Sequence, residues 1–285
     1  MPAEKNNSDE KKQPTSGSSR PNQMLKNADL IFVSDVHLHD EKDKRAQLLI
    51  SLIRDCRKTN VRKFVLGGDV FEFYWARGSY FKEKFAFLFN ELQLLAKSGT
   101  EVFFIQGNHE YCMEETSVDG VTILEADGTS LRLDMEDGSS LRIGISHGDL
   151  INAPKKYLIF KSILNSGVFK FIFGLIPSRM ADRFALSYAH QSRKTDKYRK
   201  LRHTSILNSA FKRAKREQED VHIFGHFHYP YQCKNGETEV LCVPSWDLPN
   251  ALLLKNREFF RLNIKDSNIS CQPVNYKEFS EFAKI

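Results

Sequence analysis

The sequence predicts an α/β sandwich, two packed sheets with helices outside. Strand-like apolar runs alternate with helical periodicity over the first third of the chain, and the stretches near 122–145 and 238–264 are rich in strands. In addition, five of the apolar runs end in a cluster of Asp, His or Asn. With 285 residues, 41% of them hydrophobic and 27% charged, the chain can bury one large core or two small ones.

Residues 1–27 are Lys, Glu, Ser, Asn, Gln and Pro with almost nothing apolar, which predicts a disordered polar tail. No apolar stretch follows the first Met, so no secretory signal is expected. Five cysteines with no CxxC spacing suit a reducing compartment. A cytoplasmic location is therefore expected. The net charge of +6 suits an anionic substrate or an acidic membrane surface, and it is too little patterned for nucleic acid.

Leu30-Ile31-Phe32-Val33 is the first buried strand. Leu48, Leu49, Leu52 and Ile53 mark a helix between about Lys42 and Lys58. Phe64-Val65-Leu66 is the second strand, and Phe85, Leu88, Leu92 and Leu95 mark a helix from about Phe81 to Lys97. Val102-Phe103-Phe104-Ile105 is the third. Residues 122–145 alternate around Asp127-Gly128 and Asp137-Gly138, which reads as antiparallel strands. A long helical block follows, about Pro154 to Lys215, then the strand Val221–Phe224. The expected division is a main domain over 28–265, containing a helical insertion at about 152–216, and an extension over 266–285.

The chemistry lies at the strand ends: Asp35 and His37, Asp69, Asn108, His147, then His226 and His228. In layered α/β folds the loops at the carboxyl ends of strands converge over one edge of the sheet. Carboxylate, imidazole and amide ligands without thiolates suit Mn²⁺, Fe, Zn²⁺ or Co²⁺ rather than a structural zinc. With Asp69 as a bridge, one cation would take Asp35, His37, Asp69 and His228, and the other Asp69, Asn108, His147 and His226. Two ions about 3.5–4 Å apart serve in-line attack on phosphorus. Each residue also has a plain structural reading, such as a helix cap for Asp35, a turn residue for Asp69 or Asn108, and a core histidine for His147. Cys112 reads as a small filler.

Asp35-x-His37, Gly68-Asp69, Gly107-Asn108-His109-Glu110, His147-Gly148-Asp149 and Gly225-His226-x-His228 resemble, in order, the signature of the calcineurin-like metallophosphoesterases. The resemblance implies a four-layer α/β/β/α sandwich and hydrolysis of a phosphoester or phosphoanhydride at two metal ions, and Mn²⁺ is the ion expected here. It also implies that His109 acts on the leaving oxygen or the phosphoryl group.

Within that superfamily the chain is most similar to the UDP-2,3-diacylglucosamine pyrophosphatases of lipid A biosynthesis. Ser34-Asp35-Val36-His37-Leu38, Gly68-Asp69-Val70-Phe71-Glu72 and the helical block before Gly225 carry the likeness. The implied substrate is an acylated UDP-sugar, cleaved to UMP and acylated glucosamine 1-phosphate. The implied substrate residues are Asn108, Ser192, Arg193, Lys194 and Lys197. One departure is His109, where that family usually has arginine.

The apolar runs in Tyr157–Phe160, Ile163-Leu164 and Val168–Ile176 are interrupted by Lys161, Asn165, Ser166 and Lys170, so none reaches the ~20 residues of a membrane span. They read either as helices packed on one another or as an apolar slot for acyl chains at a membrane surface, with Lys155, Lys156, Lys161 and Lys170 facing anionic lipid. The alternatives in function are a phosphoesterase acting on a soluble phosphodiester, nucleotide or phosphoprotein, and a scaffold with a vestigial site.

Overall fold

The computed structural model describes residues 21–135, 138–183, 187, 203–265 and 268–279. Seven strands form one sheet in the order β14 (Asn268–Pro273), β13 (Glu258–Lys265), β12 (Asn250–Lys255), β1 (Leu30–Val33), β2 (Lys63–Leu66), β4 (Glu101–Ile105) and β6 (Val121–Leu124). Six form the other: β15 (Lys277–Glu278), β10 (Gln232–Asn235), β11 (Thr238–Cys242), β9 (Val221–Phe224), β8 (Ser140–Ile145) and β7 (Thr129–Asp134). The remaining strands, β3 (Tyr74–Trp75) and β5 (Glu110–Tyr111), pair as a short parallel ribbon.

Side-chain alternation divides each central strand between two cores. Leu30 and Phe32 of β1, Val65 of β2 and Leu252 and Leu254 of β12 point between the sheets, where they meet Leu133, Ile143, Ile145 and Ile223. Ile31, Val33, Phe64, Leu66 and Leu253 point the other way, under the helices α2 (Lys44–Lys58) and α4 (Ala86–Lys97). Helix α2 follows from its sequence. The Asp43 carboxylate accepts the Arg45 N–H at 2.9 Å as a cap, Arg57 and Lys58 lie in the last turn, and Leu48, Leu49, Leu52 and Ile53 face the sheet. On the outer face of the second sheet lies α7 (His203–Arg216), which buries Ile206, Leu207, Ala210, Phe211 and Ala214 against β9 and β11. The result is the expected four layers.

Several boundaries differ from the sequence reading. The body begins before residue 28: α1 (Pro21–Leu25) is helical and Leu25 is fully buried, so only residues 1–20 of the proposed tail lie outside the described residues. The Phe-rich helix is interrupted at Phe85, which leaves α3 (Ser79–Lys84) and α4 as separate pieces. β6 is not part of an antiparallel hairpin but pairs parallel with β4, and the turn at Asp127-Gly128 carries the chain across to β7. Beyond 265, β14 and β15 complete an edge of each sheet, so the proposed extension belongs to the sandwich. The helical block is not one insertion over 152–216, because α7 belongs to the sandwich. Among the described residues, α5 (Lys155–Asn165), α6 (Gly167–Gly174) and the helical residues 178–183 stand apart as a cap.

Candidate metal centre

All seven expected ligands lie at one edge of the sandwich, past the ends of β1, β2, β4, β8 and β9. Backbone bonds tie neighbouring loops together. Asp35 N–H donates to Gly68 O at 3.0 Å, His37 N–H to Asp69 O at 3.0 Å, and Gly225 N–H to His147 O at 2.8 Å. Asp35, His37, Asp69, His226 and His228 have φ between 50° and 66°, the left-handed region. Asp and His tolerate it better than most residues, yet each such residue costs roughly 1–3 kcal/mol, and strain of this kind collects at functional sites. Glycine is needed where loops meet. A Cβ on Gly225 would sit 2.0 Å from Ser34 Oγ, and one on Gly107 would sit 2.2 Å from Asp69 Oδ1.

Six of the expected ligands fall into two groups with ligand atoms within 4.8 Å of one another, Asp35, His37 and His228, and Asp69, His147 and His226, and His37 also groups with Glu72 and His109. In the first, His228 Nε2 is 3.2 Å from Asp35 Oδ1 and 3.5 Å from His37 Nε2. In the second, His147 Nε2 is 3.4 Å from Asp69 Oδ2 and 3.1 Å from Asn108 Oδ1, and the rings of His147 and His226 lie 5.1 Å apart.

A second layer of groups orients these ligands. Ser34 Oγ donates to Asp35 Oδ2 at 2.6 Å, and His226 N–H donates to the same carboxylate. His147 Nδ1 donates to Gly67 O at 2.9 Å and His109 Nδ1 to Glu72 O at 2.7 Å, which leaves both Nε2 atoms facing the centre. His109 Nε2 is 3.9 Å from Asp69 Oδ2. The buried Glu110 carboxylate accepts the N–H groups of Asp69, Gly107 and Phe71 at 2.8–3.0 Å and so braces two ligand loops. Reading motifs for ligands alone missed Ser34 and Glu110; their places directly beside Asp35 and inside Gly107-Asn108-His109-Glu110 were the available signal.

Burial and the charge on Asp69 set the electrostatics of the site. Burial alone would raise the Asp69 carboxyl, but His147 and His109 outweigh it and hold it well below the usual carboxylate range. Burial likewise works against charge on His147, yet Asp69 drives its imidazole up to about 10. His37 and His226, where burial wins, fall to about 3 and about 4. Burial and the Asp69 charge together raise Glu110 to about 7. The donor set fits divalent ions. Buried carboxylates and imidazoles crowd two small volumes, and His37 Nδ1 is buried without a hydrogen-bond partner, 4.0 Å from Glu72 Oε2. Asp35, Asp69 and five histidines converge where no lysine or arginine of the described residues pairs with either carboxylate.

Of the expected substrate residues, Asn108 is in the centre, while Ser192, Arg193, Lys194 and Lys197 lie outside the described residues. Cys112 is buried in the larger hydrophobic core, as a filler would be. Its neighbours Glu114 and Glu115 are taken up by Lys170 and Arg77.

The family model for calcineurin-like phosphoesterases matches residues 29–230. A UDP-2,3-diacylglucosamine hydrolase of Neisseria gonorrhoeae is 26% identical over 230 residues, covering 79% of this chain and 92% of that protein. One of Vibrio parahaemolyticus is 26% identical over 84% of this chain and 98% of its own. Among solved structures, a Vps29 mutant of Entamoeba histolytica aligns at a TM-score of 0.44 and 13% identity, over 87% of this chain and 99% of that one.

Proposed function

Given that the chain belongs to the calcineurin-like phosphoesterase family and is a metal-dependent phosphoesterase, we propose that it cleaves the pyrophosphate of UDP-2,3-diacylglucosamine to UMP and acylated glucosamine 1-phosphate. The observation that carries this reading is an acyl-compatible cap beside a complete phosphoesterase ligand set. Helices α5 and α6 bury none of their residues. Ile159, Val168, Phe171 and Leu175 are 62–72% exposed, an apolar surface that suits lipid. Between α6 and the β3–α3 segment lies a cavity of about 350 Å³ lined by Trp75, Phe81, Phe171, Phe173 and Leu175, within the range of ligand pockets. Relatives named UDP-2,3-diacylglucosamine hydrolase support the same substrate.

Two divalent ions, most simply Mn²⁺, would be held by Asp35, His37, Asp69 and His228 and by Asp69, Asn108, His147 and His226, with Asp69 shared. When bound, they supply Lewis acidity at the phosphoryl oxygens and make water a competent nucleophile at neutral pH. His109 presents Nε2 to the centre. Burial disfavours its charge, but Asp69 and the Glu72 carbonyl raise its pKa, so it donates a proton or hydrogen bond to a phosphoryl or leaving oxygen. Ser34 and Glu110 hold the ligand loops in place. No helix among the described residues is long and apolar enough to cross a membrane; the exposed apolar face of the cap is the surface that would meet lipid.

A histidine at 109 favours a second reading, a phosphoesterase whose leaving group is an alkoxide on a soluble substrate. The test is Mn²⁺-dependent release of UMP from UDP-2,3-diacylglucosamine in detergent, beside a chromogenic phosphodiester. Fast UMP release with slow turnover of the chromogenic substrate is expected. Fast chromogenic turnover without UMP would leave the metal centre and remove the lipid substrate.

A further inference from the structure

Among the described residues, polar contacts at three carboxylates fasten the cap to the sandwich. Lys161 of α5 donates to Asp149 Oδ2 at 2.5 Å, Lys170 of α6 donates to Glu114 at 2.5 Å, and Asp182 accepts from Lys84 and Tyr80 at 2.7–2.8 Å. The first differs from the other two in position. Asp149 is two residues from His147, in the loop that carries that side chain into the metal centre, and it is only 3% exposed. Its Oδ2 also accepts the Tyr157 hydroxyl at 2.6 Å, so one buried oxygen gathers two donors one helical turn apart on α5. Its Oδ1 is buried without a partner, so the carboxylate has no solvent route to compensate for losing Lys161.

We infer that Asp149 is a positioning residue that latches the first cap helix to the metal-bearing loop, fixing the distance between the apolar cap and the reacting phosphate. No residue of helix α5 is fully buried and its main packing partner among the described elements is α6, so its place relative to the metal-bearing loop depends on this latch. The charge of Lys161 is spent inward on Asp149, which lets the opposite, apolar side of α5 face outward. The inference rests on the proposed lipid substrate only for its kinetic arm.

The test compares full-length wild type with Lys161→Met and Tyr157→Phe. Methionine keeps the apolar stem of lysine and removes the charge, so the fold should be retained. Hydrogen exchange of the amides in 155–165 should quicken at least ten-fold in Lys161→Met and less in Tyr157→Phe, with the amides of β8 and β9 unchanged. Lys170→Met, which releases the neighbouring helix from an exposed glutamate, should leave exchange in 155–165 as in wild type. For the acylated UDP-sugar, KM should rise at least ten-fold in Lys161→Met with a smaller change in kcat, while bound metal and turnover of a small chromogenic phosphodiester stay within about two-fold. Unchanged exchange in 155–165 would overturn the latch whatever the substrate. Loss of metal, or an equal loss on both substrates, would also overturn it, by placing Asp149 in the centre instead. Failure of wild type to release UMP would remove the substrate reading and leave the exchange result to decide the latch.

Discussion

The sandwich and its cap use the same residue types in opposite ways. In the sandwich, apolar side chains such as Phe32, Phe64 and Leu253 are fully buried. In the cap, Val168 and Leu175 are exposed, while the cations Lys161 and Lys170 turn inward to carboxylates of the body. These two lysines therefore do not face lipid as their spacing suggested. Lys155 and Lys156, which are exposed, remain for that role. A helix with its apolar face outward is stable in this place only if the polar face is well paired, or if something other than water covers the apolar one. The contrast shows that hydrophobicity by itself does not locate a core. Burial follows from what each segment is packed against.

The largest expected effect lies at the metal edge. Asp69→Ala should lower kcat by about 10³-fold or more on any substrate, since it removes the carboxylate nearest His147 and His109 and the proposed shared ligand. Metal content by elemental analysis and turnover in Mn²⁺ check this; retention of most activity would break the two-ion assignment. Next comes a pair that addresses the comparison directly. Leu253→Ala, in the core beneath α2 and α4, should cost about 2–5 kcal/mol in urea unfolding. Val168→Ser, on the cap's outer face, should stay within about 0.5 kcal/mol of wild type yet weaken adsorption to vesicles of anionic phospholipid several-fold. If the serine variant lost as much stability as the core variant, the cap's apolar face would be packed rather than presented.

A smaller effect tests how the sandwich holds polar groups. His222 is fully buried on β9, with Nδ1 at 2.7 Å from Glu219 and Nε2 at 3.1 Å from Ser146 Oγ. Burial lowers its pKa from 6.5 despite Glu219, so the folded protein keeps it neutral. Burial would raise Glu219, but His222 and Ser130 lower it below 4.5. Both shifts act in the same direction. Their stabilisation is present above about pH 6.5 and is lost progressively as the pH falls through the depressed folded values. The melting temperature should therefore drop on acidification below pH 6.5, and His222→Gln should reduce the slope between pH 6.5 and 5. An unchanged slope would mean that other groups dominate acid unfolding.

Much of the candidate metal centre was legible because its chemistry restricts residue type. Hard and borderline divalent ions favour carboxylate, imidazole and amide donors, and in layered α/β folds such donors gather at strand ends, so the candidate ligands Asp35, His37, Asp69, Asn108, His147, His226 and His228 stood out as short polar clusters after apolar runs. Helix α2 and the central strands were legible for a similar local reason, since periodicities of 3.6 and 2 are written in consecutive residues. The supporting groups were harder to see. Nothing in the spacing of Glu110 shows that it will accept three backbone N–H groups from two loops, because those loops meet only after β2 and β4 pair.

By itself, then, the sequence determined the layered α/β class, and it marked the candidate ligand residues and their order along the chain. The tertiary structure alone decided that α7 belongs to the sandwich and not to the cap, that β6 pairs with β4, that residues beyond 265 close both sheets, and that Lys161 and Lys170 point inward. Each of these is a choice of partner between segments far apart in the chain. An amphipathic stretch specifies that it will bury a face, but which surface receives that face is settled by the competition among all the surfaces present when the chain folds.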